Sequence, residues 1–117
     1  MSFTLAHRDD CETTGNWTLV RRTLELRAFG LNLVDIPAGD RIPEHDETVR
    51  DHEEVFFVLS GTPTLVVDGV HHAARAGTFT RLDPEHVRSV RNDGDAPASV
   101  LIASAPRSSG YRPLEWA

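Results

Sequence analysis

Lysine is missing altogether from this 117-residue chain, so all twelve of its basic side chains are arginines. Schiff-base chemistry, pyridoxal phosphate enzymes included, needs a lysine amine, and so does the phosphate-cradling P-loop. Both are excluded. Cysteine is nearly missing too: Cys11 stands alone among polar residues, which excludes an internal disulfide and a thiolate zinc cluster and leaves it a spectator. No apolar run approaches the roughly 18 residues that a membrane span needs, so no membrane partner is expected. The start, Met1-Ser2-Phe3-Thr4, has neither the basic cluster nor the apolar core of a signal peptide, and a cytoplasmic location is expected. The formal charge of −6, with no basic stripe to offset it, argues against nucleic acid as a partner.

What is present is a series of brief apolar runs punctuated by Gly and Pro, without repeats, linkers or a sustained helical period. The length suits one domain spanning residues 1–117. The spacing predicts an all-β sandwich or barrel. Expected strands are Trp17 to Arg22, Leu31 to Ile36, Arg41 to His45, Glu54 to Leu59, Thr64 to Val67, Thr78 to Leu82, Val87 to Arg91 and Ser99 to Ala103. Between Val67 and Val70, Asp68-Gly69 supplies the positive φ angles of a type I′ hairpin turn. Asn92 to Pro97 reads as a polar turn.

Strand alternation puts Glu54, Phe56 and Val58 on one side and Val55, Phe57 and Leu59 on the other. A carboxylate thus begins an apolar inner row, where it needs a cation, an arginine or a hydrogen-bond donor. The apolar outer row calls for a second layer, and a homodimer is expected to cover exterior surface of this kind. Just upstream, the eleven residues Glu44 to Glu54 hold six carboxylates and two imidazoles. Alternation from Arg41 places His45 with Glu47, and His52 with Glu54. Two nitrogens and two oxygens of this kind suit zinc, iron, manganese or nickel; a solvated acidic loop is the competing reading.

The stretch Gly39-Asp40-Arg41-Ile42-Pro43-Glu44-His45-Asp46-Glu47, continued by Glu53 to Gly61, resembles the first motif of the cupin family. Gly39, His45, Glu54 and Gly61 fall on that pattern. Gly77 to Pro84, followed by Val87 to Asn92, is similar to the second motif, so that the resemblance covers about positions 31 to 105. It implies a jelly-roll β-barrel with its site inside. The chain departs from the family at three places: Glu47 stands for the second histidine, Arg88 for the last histidine ligand and Glu85 for a glycine. The loop before Glu54 is also longer.

Two readings of the pocket follow from the resemblance. In one, His45, Glu47, His52 and Glu54 hold a divalent ion, with Glu47 or His52 doubling as acid or base and Arg88 contacting an anionic or carbonyl-bearing substrate. In the other, Arg88 takes the metal's place by pairing with Glu47 or Glu54, and the chain is a metal-free binding or sensor module. A small-molecule ligand is expected in both, held against Phe56, Val58, His86 and Arg88. Neither reading names a reaction. His71, His72 and His7 are expected to face solvent, and a triad of Ser60, His86 and an aspartate lacks the nucleophile-elbow pattern.

Overall fold

The computed structural model describes residues 2–117. Their strands are β1 (Thr13–Thr14), β2 (Trp17–Thr18), β3 (Gly30–Ile36), β4 (Arg41–His45), β5 (His52–Ser60), β6 (Thr64–Val67), β7 (Val70–Ala73), β8 (Phe79–Leu82), β9 (Arg88–Arg91) and β10 (Ala98–Pro106). All pair antiparallel, in one sheet of order β1-β2-β3-β10-β5-β8 and a second of order β4-β9-β6-β7. Among the described residues the only helices are a turn of 3-10 helix, Arg8–Asp10, and α1 (Val20–Leu24). The expected all-β fold is the one observed.

Local chemistry accounts for the corners. Asp68 and Gly69 take φ of 49° and 80°, and β6 meets β7 through the Val67↔Val70 pair. Gly61, with φ 84°, ends β5 where a Cβ would stand 2.8 Å from Ala98, so only glycine fits there without moving β10. Asn92 is buried and works as a bolt in the polar turn. Its Nδ2 donates to the Ile36 and Ala96 carbonyls, and its Oδ1 accepts from the Gly94 N–H.

The two sheets close on a core that includes Val34, Ile36, Ile42, Phe56, Val58, Leu65, Val90 and Val100. Each large apolar side chain buried there stabilises the fold by about 1.5–3 kcal/mol. On β5 the predicted alternation appears: Glu54, Phe56 and Val58 are buried, while Val55 and Leu59 are exposed. The outer row meets no second layer within the described chain. Phe57 is half-buried beneath Phe79, which stacks on it at 4.2 Å from edge strand β8 and is itself 72% exposed.

One predicted strand is corrected. Trp17 to Arg22 gives only the two residues of β2, after which the chain turns into α1. Glu25 closes that helix with φ 57°, its N–H reaching the Arg21 and Arg22 carbonyls. Five residues make little more than one turn, too few to show a helical period in the sequence.

Candidate functional site

His45 reaches the barrel interior through a bulge. Between the pairs Ile42↔Val90 and His45↔Arg88, β4 spends three residues where β9 spends two. The extra residue falls at Pro43-Glu44, and proline, which lacks an N–H for the ladder, is suited to such a place. Without the bulge, strict alternation would turn His45 outward with Arg41. With it, His45 shares the inner side with Ile42, and its cross-strand partner Arg88 points inward as well.

Glu47 lies beyond the end of β4, in a loop rather than on the strand face. Its N–H donates to the Pro84 carbonyl and its own carbonyl accepts from the His52 N–H. Glu54 arrives from the opposite sheet. His45 Nε2 is 3.5 Å from Glu47 Oε1 and 3.8 Å from Glu54 Oε1. His45 Nδ1 is 3.0 Å from the Pro43 carbonyl oxygen, which can only accept, so Nδ1 carries a proton and Nε2 is the nitrogen turned to both carboxylates. Two carboxylates gathered at one nitrogen call for a positive charge between them.

The donor atoms of His45, Glu47 and Glu54 all lie within 4.8 Å of one another. Two ligands of one ion, each at about 2.1 Å from it, stand roughly 3 to 4.2 Å apart, so the two imidazole–carboxylate distances fit a shared cation. Glu54 Oε1 is buried and accepts no hydrogen bond. One nitrogen and two carboxylates suit manganese, iron, nickel or zinc. Burial pushes the Glu54 carboxyl above its ordinary range, and the negative charge of Glu47 adds to this; Arg88 and His45 pull the other way without cancelling it.

Arg88 is fully buried. Its Nη2 donates to the Leu82 and Asp83 carbonyls at 3.3 and 3.0 Å, while its Nε stands 3.7 Å from Glu54 Oε1. At that distance the charges attract without a hydrogen bond, and Nε and Nη1 find no acceptor among the described residues. The guanidinium thus stands behind Glu54, held by backbone.

A cavity of about 1030 Å³ opens in front of the trio, between the sheets and the α1 segment. His45, Glu47, Glu54 and His52 all line it. His52 is not part of the converging group. It sits two residues before Glu54 on the same face of β5, and its ring nitrogens stay outside the converging group. Phe56 and Val58 belong to the core and do not line this cavity. Neither does His86, whose Nδ1 lies 2.7 Å from Asp68 Oδ2 in a clasp between the hairpin turn and the β8–β9 loop. Asp68 also accepts from the Val87 N–H, and His86 foremost holds its carboxyl below the ordinary range. Arg88 touches the site through Glu54 rather than through the cavity wall.

The cavity also has walls that sequence reasoning passed over: Trp17, Phe29, Asn32 and Ser104, and three arginines, Arg21, Arg27 and Arg50. Ser104 Oγ lies where Gly30 has no side chain, since a Cβ there would come within 2.5 Å of it. Arg50 was legible only as a neighbour of acids. Arg21 fell inside the segment read as a strand, and Arg27 just beyond it.

Residues 32–104 match the Cupin domain family. Among solved structures, a cupin protein from Bacteroides fragilis superposes with a TM-score of 0.82 at 20% identity, over 97% of this chain and 92% of that one. A Cupin 2 conserved barrel domain protein from Salinispora arenicola gives 0.69 at 18% identity, over 93% and 92%. A sugar phosphate isomerase of the cupin superfamily from Silicibacter pomeroyi gives 0.67 at 22%, over 76% of this chain and 57% of that one. The paired antiparallel sheets are therefore a jelly roll, and the chain belongs to the cupin family.

Proposed function

We propose that this cupin is a divalent-metal-dependent enzyme acting on a small organic molecule in the cavity in front of His45, Glu47 and Glu54. The observation that carries the reading is the convergence of two carboxylates on one imidazole nitrogen, His45 Nε2, with Glu54 Oε1 buried and accepting no hydrogen bond. A bound ion would supply Lewis-acid polarisation of a substrate oxygen. The chain's own residues would do the rest. Glu54, locked by burial, anchors the site, while Glu47, on a loop and more exposed, and His52, on the cavity wall, are placed to act as acid or base.

A metal-free binding module is the second reading, favoured by the 3.7 Å approach of Arg88 to Glu54. Elemental analysis of protein purified without a histidine tag, followed by titration with manganese, iron, nickel and zinc, separates the two. One equivalent of metal is expected, lost in His45→Ala. No binding of any of the four ions by the parent chain would overturn the metal reading.

We also propose a homodimer through the outer face of β5 and β8, where Val55, Leu59 and Phe79 are exposed. A second copy is the occupant that suits an apolar sheet face ending in an edge strand, since closed two-fold pairing covers both at once. Sedimentation is expected to give twice the 13.0 kDa chain mass. A mass of one chain at all concentrations would refute it.

A further inference from the structure

The chain is acidic, yet its cavity is not. Of the charged side chains lining it, Glu47 and Glu54 are outnumbered by Arg21, Arg27 and Arg50, a formal +1 inside a protein of −6. These arginines have no ion-pair partner among the described residues. Six of the other nine arginines find acids: Arg8 meets Asp35, Arg22 meets Glu12, Arg81 meets Asp83, Arg88 meets Glu54, Arg91 meets Asp93, and Arg107 gathers both Asp51 and Glu85; what sets Arg21, Arg27 and Arg50 apart from Arg41, Arg75 and Arg112, which also lack an acid among the described residues, is that they line one cavity. Arg50 adjoins Asp51 in the acidic loop, yet Asp51 turns to Arg107 and leaves Arg50 to the cavity. Arg21 spends one donor on the Leu26 carbonyl at 3.1 Å, which fixes the α1 segment at the mouth. Arg27 and Arg50 make no hydrogen bond from their side chains among the described residues. A divalent ion on the carboxylates would leave the three guanidinium charges without a counter-charge in the cavity lining.

We propose that the ligand of this cavity is an oxyanion-bearing small molecule, its phosphate or carboxylate group held by Arg21, Arg27 and Arg50 while its polar body extends toward His45, Glu47 and Glu54. Guanidinium forks match both kinds of oxyanion and bind them with charge-assisted hydrogen bonds. Trp17 and Phe29, on the same wall, supply apolar surface for the carbon skeleton. The inference rests on the cavity's being the ligand site, though it requires no metal.

Glucose 6-phosphate, gluconate and glucose test it, as three probes of one skeleton length that end in phosphate, carboxylate and neither. Binding is read by calorimetry and by the fluorescence of Trp17 in a Trp116→Phe background, which leaves Trp17 as the single indole. At least one anionic probe is expected to bind tenfold or more tighter than glucose, with the preference shrinking as salt is raised. The stronger of the two anions identifies the oxyanion. Arg27→Ala with Arg50→Ala, two exposed residues whose side chains make no hydrogen bond or ion pair among the described residues, is expected to abolish the preference and leave metal stoichiometry unchanged. Equal binding of all three probes, no binding of any at millimolar concentration, or a preference that survives the double variant would each overturn the proposal. Each measurement is made with and without manganese. A protein that takes no metal but keeps the arginine-dependent preference refutes the metal reading alone.

Discussion

Replacing Arg88 by alanine is expected to cost about 3 to 5 kcal/mol in urea unfolding of the metal-free protein, the range for removing one partner of a buried ion pair. Three losses coincide there. The Leu82 and Asp83 carbonyls lose their donor. A fully buried side chain leaves a void between the sheets. Glu54 loses the nearest positive charge in its surroundings. The carboxyl has an escape, because it can take up a proton, so the cost should be largest at high pH and shrink as pH falls through the folded-state value of Glu54. Arg88→Met together with Glu54→Leu, which replaces both charges by apolar groups of similar shape, is expected to recover most of the loss. A loss under about 1 kcal/mol for Arg88→Ala would show that the guanidinium neither packs nor pairs as described. Arg88→His carries a second expectation: a neutral imidazole in place of a fixed charge should bind divalent ions at least as tightly as the parent.

The course of the barrel was largely written in the pattern of apolar residues. β4 and β6 begin and end where alternation and turn chemistry put them, and the Asp68-Gly69 turn forms because those residues accept positive φ. The buried row Glu54, Phe56 and Val58 was legible for the same reason: a period of two leaves no choice of face. The site was legible in its membership more than in its construction. Alternation alone would have sent His45 outward; the bulge at Pro43-Glu44 reverses it, and a bulge leaves only a weak trace in sequence. Glu47 arrives through loop hydrogen bonds to Pro84 and His52, which no periodicity encodes. His52 lines the same cavity without bringing a donor atom into the trio, because alternation fixes the face of a side chain but not where its ring ends. His86 was misplaced for a different reason. The shared-face argument with Arg88 requires β9 to include it, and the strand begins only at Arg88, leaving His86 to clasp Asp68. The three cavity arginines were hidden because they reach one space from α1, the loop after it and the β4–β5 loop, a closeness created by folding alone.

Glu54→Gln is expected to separate stability from binding. Removing an anionic ligand should weaken divalent-metal affinity at least about 100-fold, since loss of groups that merely support ligands already costs 10- to 100-fold. Stability should behave otherwise. The folded protein raises the Glu54 carboxyl above its ordinary value, chiefly by burial and then through Glu47, so between those two values the native state binds more protons than the unfolded chain. Stability therefore falls as pH rises through that window, and the cost of ionisation is fully present above it. Glutamine mimics the protonated acid. At neutral pH the metal-free variant should be as stable as the parent or more so, and its unfolding free energy should lose the decline that the parent shows above the ordinary carboxylate range. Asp35 contributes with the opposite sign. Burial alone would raise its carboxyl, but the Ser99 hydroxyl and Arg8 outweigh that and lower it, so its contribution is lost as pH falls and remains in both proteins. Urea titrations from pH 4 to pH 9, with metal affinity measured by calorimetry at pH 7, check both halves. Unchanged metal affinity would remove Glu54 from the site. A variant several kcal/mol less stable than the parent at neutral pH would show that the ionised carboxylate is matched by Arg88 in the resting protein, as the metal-free reading requires.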